Sequence, residues 1–243
     1  MIKRQLKQFA NSLLAYRGLE IVYQRIENDP LRQLLLSLRH HRIRLVIDVG
    51  ANAGQYGQEL FRAGYEGDIH SIEPQPDAHA RLRECARRWK RWTVLDAVAA
   101  GDSEGWVEMM VAGNSVSSSV LPMLDRHVQA APSSAPVGRV TVRQTTLDTL
   151  YAERLDTAPP TLLKIDVQGY EPQVLAGATR CLAKVQLVQL ELSLQPLYAG
   201  QQLWLELVEA MEQHGYQTWA IHPAFCDPRT GQVLQVDGLF ARR

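Results

Sequence analysis

From about Arg44 onward, short runs that read as strands alternate with stretches whose apolar residues recur three and four positions apart. The runs are Val46–Val49, Asp68–Ile72, Trp92–Ala99, Thr161–Asp166 and Val185–Leu194. The helical stretches between and after them are Tyr56–Ala63, Pro76–Trp89, Pro172–Leu182 and Gln201–His214. Strand and helix periods in alternation predict parallel βαβ units. Trp106–Val111 alternates like an antiparallel strand, and Arg139–Gln144 reads as another. The Ala-, Pro- and Ser-rich stretch Gln129–Val137 between them is expected to be a mobile connector, with a lid over the acceptor as the alternative. Tyr216–His222 and Gln232–Ala241 are expected to close the sheet as an antiparallel pair.

The first forty residues follow the helical period alone. Leu6, Phe9, Leu13 and Leu14, then Ile21, Val22 and Ile26, mark one or two helices, and Asp29-Pro30 starts another over Leu31–His41. The expected organisation is an N-terminal helical extension over residues 1–43 and one α/β domain over residues 44–243. The extension is expected to pack on the domain. Lys3, Arg4 and Lys7 leave a peripheral membrane contact or a homodimer contact as alternatives.

Composition narrows this picture. Lys and Arg number 26 and so do Asp and Glu, so the formal net charge is zero, which argues against a nucleic-acid partner. Cys85, Cys181 and Cys226 are far apart and form no C-x-x-C pair, which fits free thiols in a cytoplasmic setting. No apolar run reaches the ~20 residues of a spanning helix, and no secretory h-region follows the basic start.

The candidate chemistry sits at the strand ends. Asp48-Val49-Gly50-Ala51-Asn52-Ala53-Gly54 joins the first strand to a helix, where open α/β sheets bind ligands. Gly50 and Gly54 allow close backbone approach, and N–H groups at the helix start favour an anion. The G-x-N-x-G spacing matches neither the dinucleotide fingerprint nor the phosphate loop. Glu73 ends the second strand about twenty residues on, where an acid can hold both ribose hydroxyls. Asp96-Ala97 ends the third run.

These residues resemble the FkbM family of S-adenosylmethionine-dependent methyltransferases. The resemblance rests on Asp48–Gly54 with Tyr56, on Glu73-Pro74-Gln75-Pro76, on Asn114 with Ser117–Ser119, on Thr146-Leu147-Asp148, and most specifically on Leu163–Glu171. It covers roughly Arg44–Arg243. It implies the class I, Rossmann-like seven-stranded methyltransferase fold: α/β, mostly parallel with one antiparallel strand, with helices on both faces. It implies S-adenosylmethionine as donor and a hydroxyl as acceptor, on a sugar of a glycan (glycolipid or polysaccharide) or on a polyketide-type natural product. Asp48, Gly50, Asn52 and Gly54, with Tyr56 nearby, would line the methionine end. Glu73 with Pro74 would hold the ribose, and Asp96 and Ala97 would edge the adenine.

An aliphatic hydroxyl is a weak nucleophile and needs help to lose its proton. Asp166, at the tip of the fourth parallel strand, is the first candidate base. Glu191, near the fifth strand end, is its candidate partner, or with Asp166 a ligand for Mg2+, which is not expected to be required. His222, read as following a strand, is a further candidate. Lys164 lies two residues before Asp166 on the same strand face, which suits a structural role. Asn114, Ser117, Ser118 and Ser119 offer short polar groups to the acceptor. The competing readings are an NAD-type oxidoreductase, a non-catalytic cofactor-binding partner subunit and a nucleic-acid base methyltransferase. The last lacks its Asn/Asp-Pro-Pro-aromatic motif after the fourth strand.

Overall fold

The computed structural model describes residue 26, residues 29–154 and residues 156–243. The helices expected before Ile26 lie outside the described residues. Residues 35–243 form one compact unit. α1 spans Pro30–His40, and Asp29 Oδ1 accepts from Arg32 N at 3.0 Å, as a cap residue does.

The central sheet has seven strands. β1 (Leu45–Val49), β2 (Asp68–Ile72) and β3 (Trp92–Val94) pair in parallel, and β1 pairs on its other side with β7 (Thr161–Ile165). β8 (Leu187–Ser193) continues in parallel beyond β7. β10 (Val233–Arg242) then runs antiparallel between β8 and the edge strand β9 (Tyr216–Cys226). The order is therefore β3-β2-β1-β7-β8-β10-β9, the mostly parallel sheet with one antiparallel strand that the resemblance implies. β1 and β7 are buried along their whole length, as parallel strands covered on both faces are. α2 (Gln55–Arg62), α3 (Pro76–Ala86), the short α5 (Leu147–Leu150), α6 (Glu171–Ala176) and α7 (Thr179–Leu182), and α8 (Trp204–Gln213) supply the helical connections.

A second sheet of three strands, β4 (Ala99–Ala100), β6 (Pro136–Thr145) and β5 (Gly105–Ala112), stands beside the first. It corrects the expected third strand. Trp92–Ala99 is not continuous: β3 ends at Val94, and Ala99-Ala100 leaves to pair with Gln144-Thr145. Asp96 and Ala97 lie exposed in the link. The expected connector Gln129–Val137 is also corrected. α4 (Asp125–Ala130), a 3-10 turn over Pro132–Ser134 and the start of β6 occupy it. Ser134 fixes the turn, with its buried Oγ 2.8 Å from His127 Nδ1 and 2.7 Å from Ala131 O. The helix expected through Leu182 breaks between α6 and α7. A Cβ on Gly177 would overlap the Gly101 carbonyl there.

Among the described residues no helix is long and apolar enough to cross a membrane. Cys85, Cys181 and Cys226 are free thiols.

Candidate functional site

The C-terminal ends of β1, β2 and β7 enclose a cavity of about 550 Å³, its open mouth included. Gly50 and Asn52 after β1, Glu73 and Pro74 after β2, and Asp166, Val167 and Gln168 after β7 line it. Ala99 and Ala100 of β4, Met109 of β5, and Ser115, Ser118 and Ser119 from the following turn complete the wall. The second sheet thus covers the strand ends of the first.

The glycine turn is built for strand-to-strand contact as much as for a ligand. Gly50 has φ 79°, and a Cβ there would overlap the Asp166 carbonyl oxygen. Gly54 caps α2 at φ 91°, and its Cβ would press on Trp92 and Leu82. Its lack of a side chain serves packing under the turn. The N–H groups of Gly50 and Ala51 both donate to Ile72 O, Asn52 N to Glu73 Oε2, Ala53 N to Asn52 Oδ1 and Gly54 N to Ala51 O. Any anion-binding donors of this turn therefore lie beyond Gly54.

Glu73 is buried, and each of its oxygens accepts one backbone N–H: Oε2 from Asn52 at 2.8 Å and Oε1 from Gln75 at 2.8 Å. A carboxylate oxygen has two lone-pair sites, so each keeps one for a ligand hydroxyl. Burial raises its pKa to about 7, against the pull of those two N–H groups. Asn52, at φ 46°, links the turn to Ser115 Oγ at 3.3 Å.

Behind the cavity lies a charged group. Lys164 Nζ is 3.1 Å from Asp48 Oδ1 and 3.3 Å from Asp166 Oδ2, and 5.0 Å from the centre of the Tyr56 ring. Burial pulls the Lys164 pKa down, but Asp48 and Asp166 outweigh it and hold it above its ordinary value. Asp48 is fully buried and does not line the cavity; Ser71 Oγ lies 3.4 Å from its Oδ2. Tyr56 also sits behind the wall and donates to Gln189 Oε1 at 2.7 Å. Both stand against Lys164, and Lys164 in turn pairs with Asp166, which does face the cavity.

Gln168 is the hub that sequence reasoning missed. At φ 59° its Nε2 donates to Asp166 Oδ1 at 2.9 Å and to Glu191 Oε2 at 2.6 Å. Tyr198 Oη donates to its Oε1 at 2.7 Å, and its carbonyl accepts from Ser119 Oγ at 2.7 Å. Gln235 Nε2 reaches Glu191 Oε2 at 2.6 Å from β10. Burial, reinforced by Asp166, Glu171 and Asp237, pushes Glu191 well above the carboxylate range. Glu171 accepts from Val167 N and Gly169 N, at 3.1 and 3.2 Å, and burial raises it to about 7. Only the Leu163–Glu171 resemblance pointed toward Gln168, and nothing in the sequence pattern marked Tyr198 or Gln235.

The remaining sequence candidates separate. Ser118 and Ser119 face the cavity, with the unforeseen Ser115 beside them. Asn114 and Ser117 close their own turn: Asn114 Nδ2 donates to Ser117 Oγ at 3.0 Å, and Ser117 N donates to Asn114 Oδ1 at 3.2 Å. His222 lies within β9, not after it, opposite Asp237 of β10, and lines no part of the cavity. Asp96 and Ala97 do not line it either. Among the described residues no three His, Cys, Asp or Glu side chains are grouped to hold a metal. The gap between Asp166 and Glu191 is spanned by the Gln168 amide.

The model of the FkbM methyltransferase domain matches residues 48–218, the span that contains every cavity-lining residue named above. The chain belongs to the FkbM methyltransferase family. A curated relative, the 2-O-methyltransferase NoeI of Sinorhizobium fredii (strain NBRC 101917 / NGR234), is 26% identical over 174 residues, covering 69% of this chain and 70% of that one. Among solved structures, the methyltransferase domain of bacterial CtHen1 superposes with a TM-score of 0.51 at 11% identity, over 90% of this chain and 99% of that one. Precorrin-6y C5,15-methyltransferase from Geobacter metallireducens gives 0.43 at 14% identity, over 86% of each. The FkbM assignment makes this chain an S-adenosylmethionine-dependent methyltransferase, and the free lone pairs of Glu73 fit a nucleoside donor.

Proposed function

We infer that the protein is an O-methyltransferase that acts on a hydroxyl of a sugar residue in a glycan. One observation carries the reading: Glu73 and Asp166 face a single cavity from the ends of β2 and β7. A diol-binding acid and a proton-accepting acid thus follow strands on either side of β1. That the relative NoeI is a 2-O-methyltransferase supports oxygen as the acceptor atom.

When bound, S-adenosylmethionine supplies a methyl group on a good leaving group. The chain's own residues do the rest by position, since reacting atoms must be held about 3–3.5 Å apart and in line. Glu73 takes the ribose hydroxyls of the donor. Ser118 and Ser119 give their protons to Ser115 O and Gln168 O, so each offers a remaining lone pair to the acceptor, beside Ser115 in the same cavity wall. With the donor bound, methyl would pass from its sulfonium sulfur to the acceptor oxygen with the thioether as leaving group, and the Asp166 carboxylate would take the proton of the acceptor hydroxyl. Lys164 and Gln168 hold that carboxylate in place from behind and from the side.

Calorimetric titration with S-adenosylmethionine, S-adenosylhomocysteine and NAD is the first test. It is followed by transfer of labelled methyl to a panel of glycans and polyketide alcohols. Binding of the first two ligands and label on a sugar oxygen are expected. Binding of NAD alone, or label on nitrogen or carbon, sinks the reading.

A further inference from the structure

A second concavity opens at the other edge of the sheet, where β1, β2 and β7 begin. Its space, open mouth included, is about 1200 Å³. Arg39 from the end of α1, Arg42 from the turn after it and Arg44 before β1 stand around it, with Tyr65 and Glu66 from the turn between α2 and β2. A neighbouring concavity of about 830 Å³ shares Arg44, Tyr65 and Glu66 and adds Lys90 and Arg91. Five residues of β1 separate this edge from the donor cavity, about 15 Å of strand.

Charge there is not balanced. Arg39, Arg42 and Arg44 are exposed and make no ion pair among the described residues, whereas Arg91 is paired with Asp68 at 3.5 Å. α1 and α2 both end at this edge, and each helix end carries about half a negative charge. Together with Glu66 they answer about two of the three guanidinium charges, leaving about one. Tyr65 stands in the wall common to both concavities and is only 8% exposed. Its hydroxyl is buried with no hydrogen-bond partner among the described residues, although buried polar groups are as a rule paired.

We propose that this concavity binds a phosphate group, on the guanidiniums of Arg39, Arg42 and Arg44, with Tyr65 in its wall. Guanidinium forks match phosphate oxygens two at a time, and three of them around one hollow exceed what a single carboxylate takes. The same chemistry serves a free phosphate and the phosphate of a lipid headgroup.

The test titrates the full chain with inorganic phosphate by calorimetry. It also sediments the chain with vesicles of phosphatidylglycerol or of phosphatidylcholine, at low and at high salt. Wild type is compared with Arg42→Glu/Arg44→Glu, with Tyr65→Phe and, should the charge reversal fail to fold, with Arg39→Ala/Arg42→Ala. Binding that falls about tenfold or more in the arginine variants, and little in Tyr65→Phe, is the expected result, with S-adenosylmethionine affinity unchanged as the folding control. Phosphate bound by wild type identifies a free anion. Phosphatidylglycerol vesicles bound without phosphate identify a lipid headgroup. Equal binding by wild type and the arginine variants, or no binding to any of these probes, overturns the proposal.

Discussion

Lys164 Nζ stands 3.1 Å from Asp48 Oδ1, and their side chains are 8% and 0% exposed. β1 and β7 are in register with these two residues opposite each other, so the ion pair staples the two central strands beneath the cavity. A buried charge that loses its partner costs about 3–5 kcal/mol, whereas removing both partners costs far less. Lys164→Ala is therefore expected to lose about that much stability in urea denaturation, and Lys164→Met/Asp48→Asn clearly less. Equal losses in the two variants would show that the pair is not coupled.

Gly50 offers a second test of how the strand ends meet. Its φ of 79° is left-handed, and a Cβ would overlap the Asp166 carbonyl, which is backbone and cannot swing aside. Gly200 has a similar φ of 76° with open space around it. The conformational term alone is about 1–2 kcal/mol. Gly200→Ala should lose about that amount, and Gly50→Ala should lose more or fail to fold. Unfolding midpoints of the two variants decide; matching values would remove the steric argument.

Glu73 and Glu171 make stability depend on pH in a definite direction. Burial raises both from 4.5 to about 7, so the native state binds their protons more tightly than the unfolded chain. Their contribution is full below about pH 4.5, is lost as pH rises to about 7 and is flat above. The loss is on the order of 3 kcal/mol for each. His127 opposes them, because burial lowers its pKa and its penalty grows as pH falls below the ordinary histidine value. The informative quantity is thus wild type minus Glu73→Gln, and wild type minus Glu171→Gln, in urea denaturation from pH 4 to 8. Each difference should change between pH 4.5 and 7 and be constant above. A difference that does not vary with pH would mean that the group is not buried as an acid.

Which parts of this molecule were legible follows from where their information lies. β1 and β7 are mostly apolar runs between turn signals, because strands buried on both faces need little else, whereas β2 mixes polar and apolar residues and is marked by Ile69, Ile72 and the acid that follows it. Ala99-Ala100 has no strand signature of its own; it is a strand because Gln144-Thr145 lies beside it. The order of residues 129–137 comes from contacts that no local pattern encodes, among them His127 with Ser134, Gly113 N with Ala135 O and the pairing of Pro136 with Ala112. The glycine turn was legible as a turn, but Gly54 and Gly57 are small for the sake of Trp92, which lies far along the chain. At the cavity, residues at strand tips could be read, while Tyr198 and Gln235 reach it only through the folded sheet.

The proton-accepting role of Asp166 is the sharpest claim to test. Asp166→Asn keeps the shape of the side chain. It removes the basic carboxylate and leaves Lys164 paired with Asp48. A positioned base contributes about 10²–10⁴-fold, so kcat is expected to fall by about that factor while donor affinity stays near wild type. Gln168→Leu removes the amide that holds Asp166 Oδ1 at 2.9 Å and Glu191 Oε2 at 2.6 Å. Its expected effect is a smaller loss of kcat with a displaced pH–rate profile, because Asp166 then loses its amide donor and faces the buried Glu191 acid directly. A wild-type kcat in Asp166→Asn would take the base out of the mechanism and leave positioning by the cavity walls as the source of the rate. An unshifted profile in Gln168→Leu would reduce Gln168 to a packing residue.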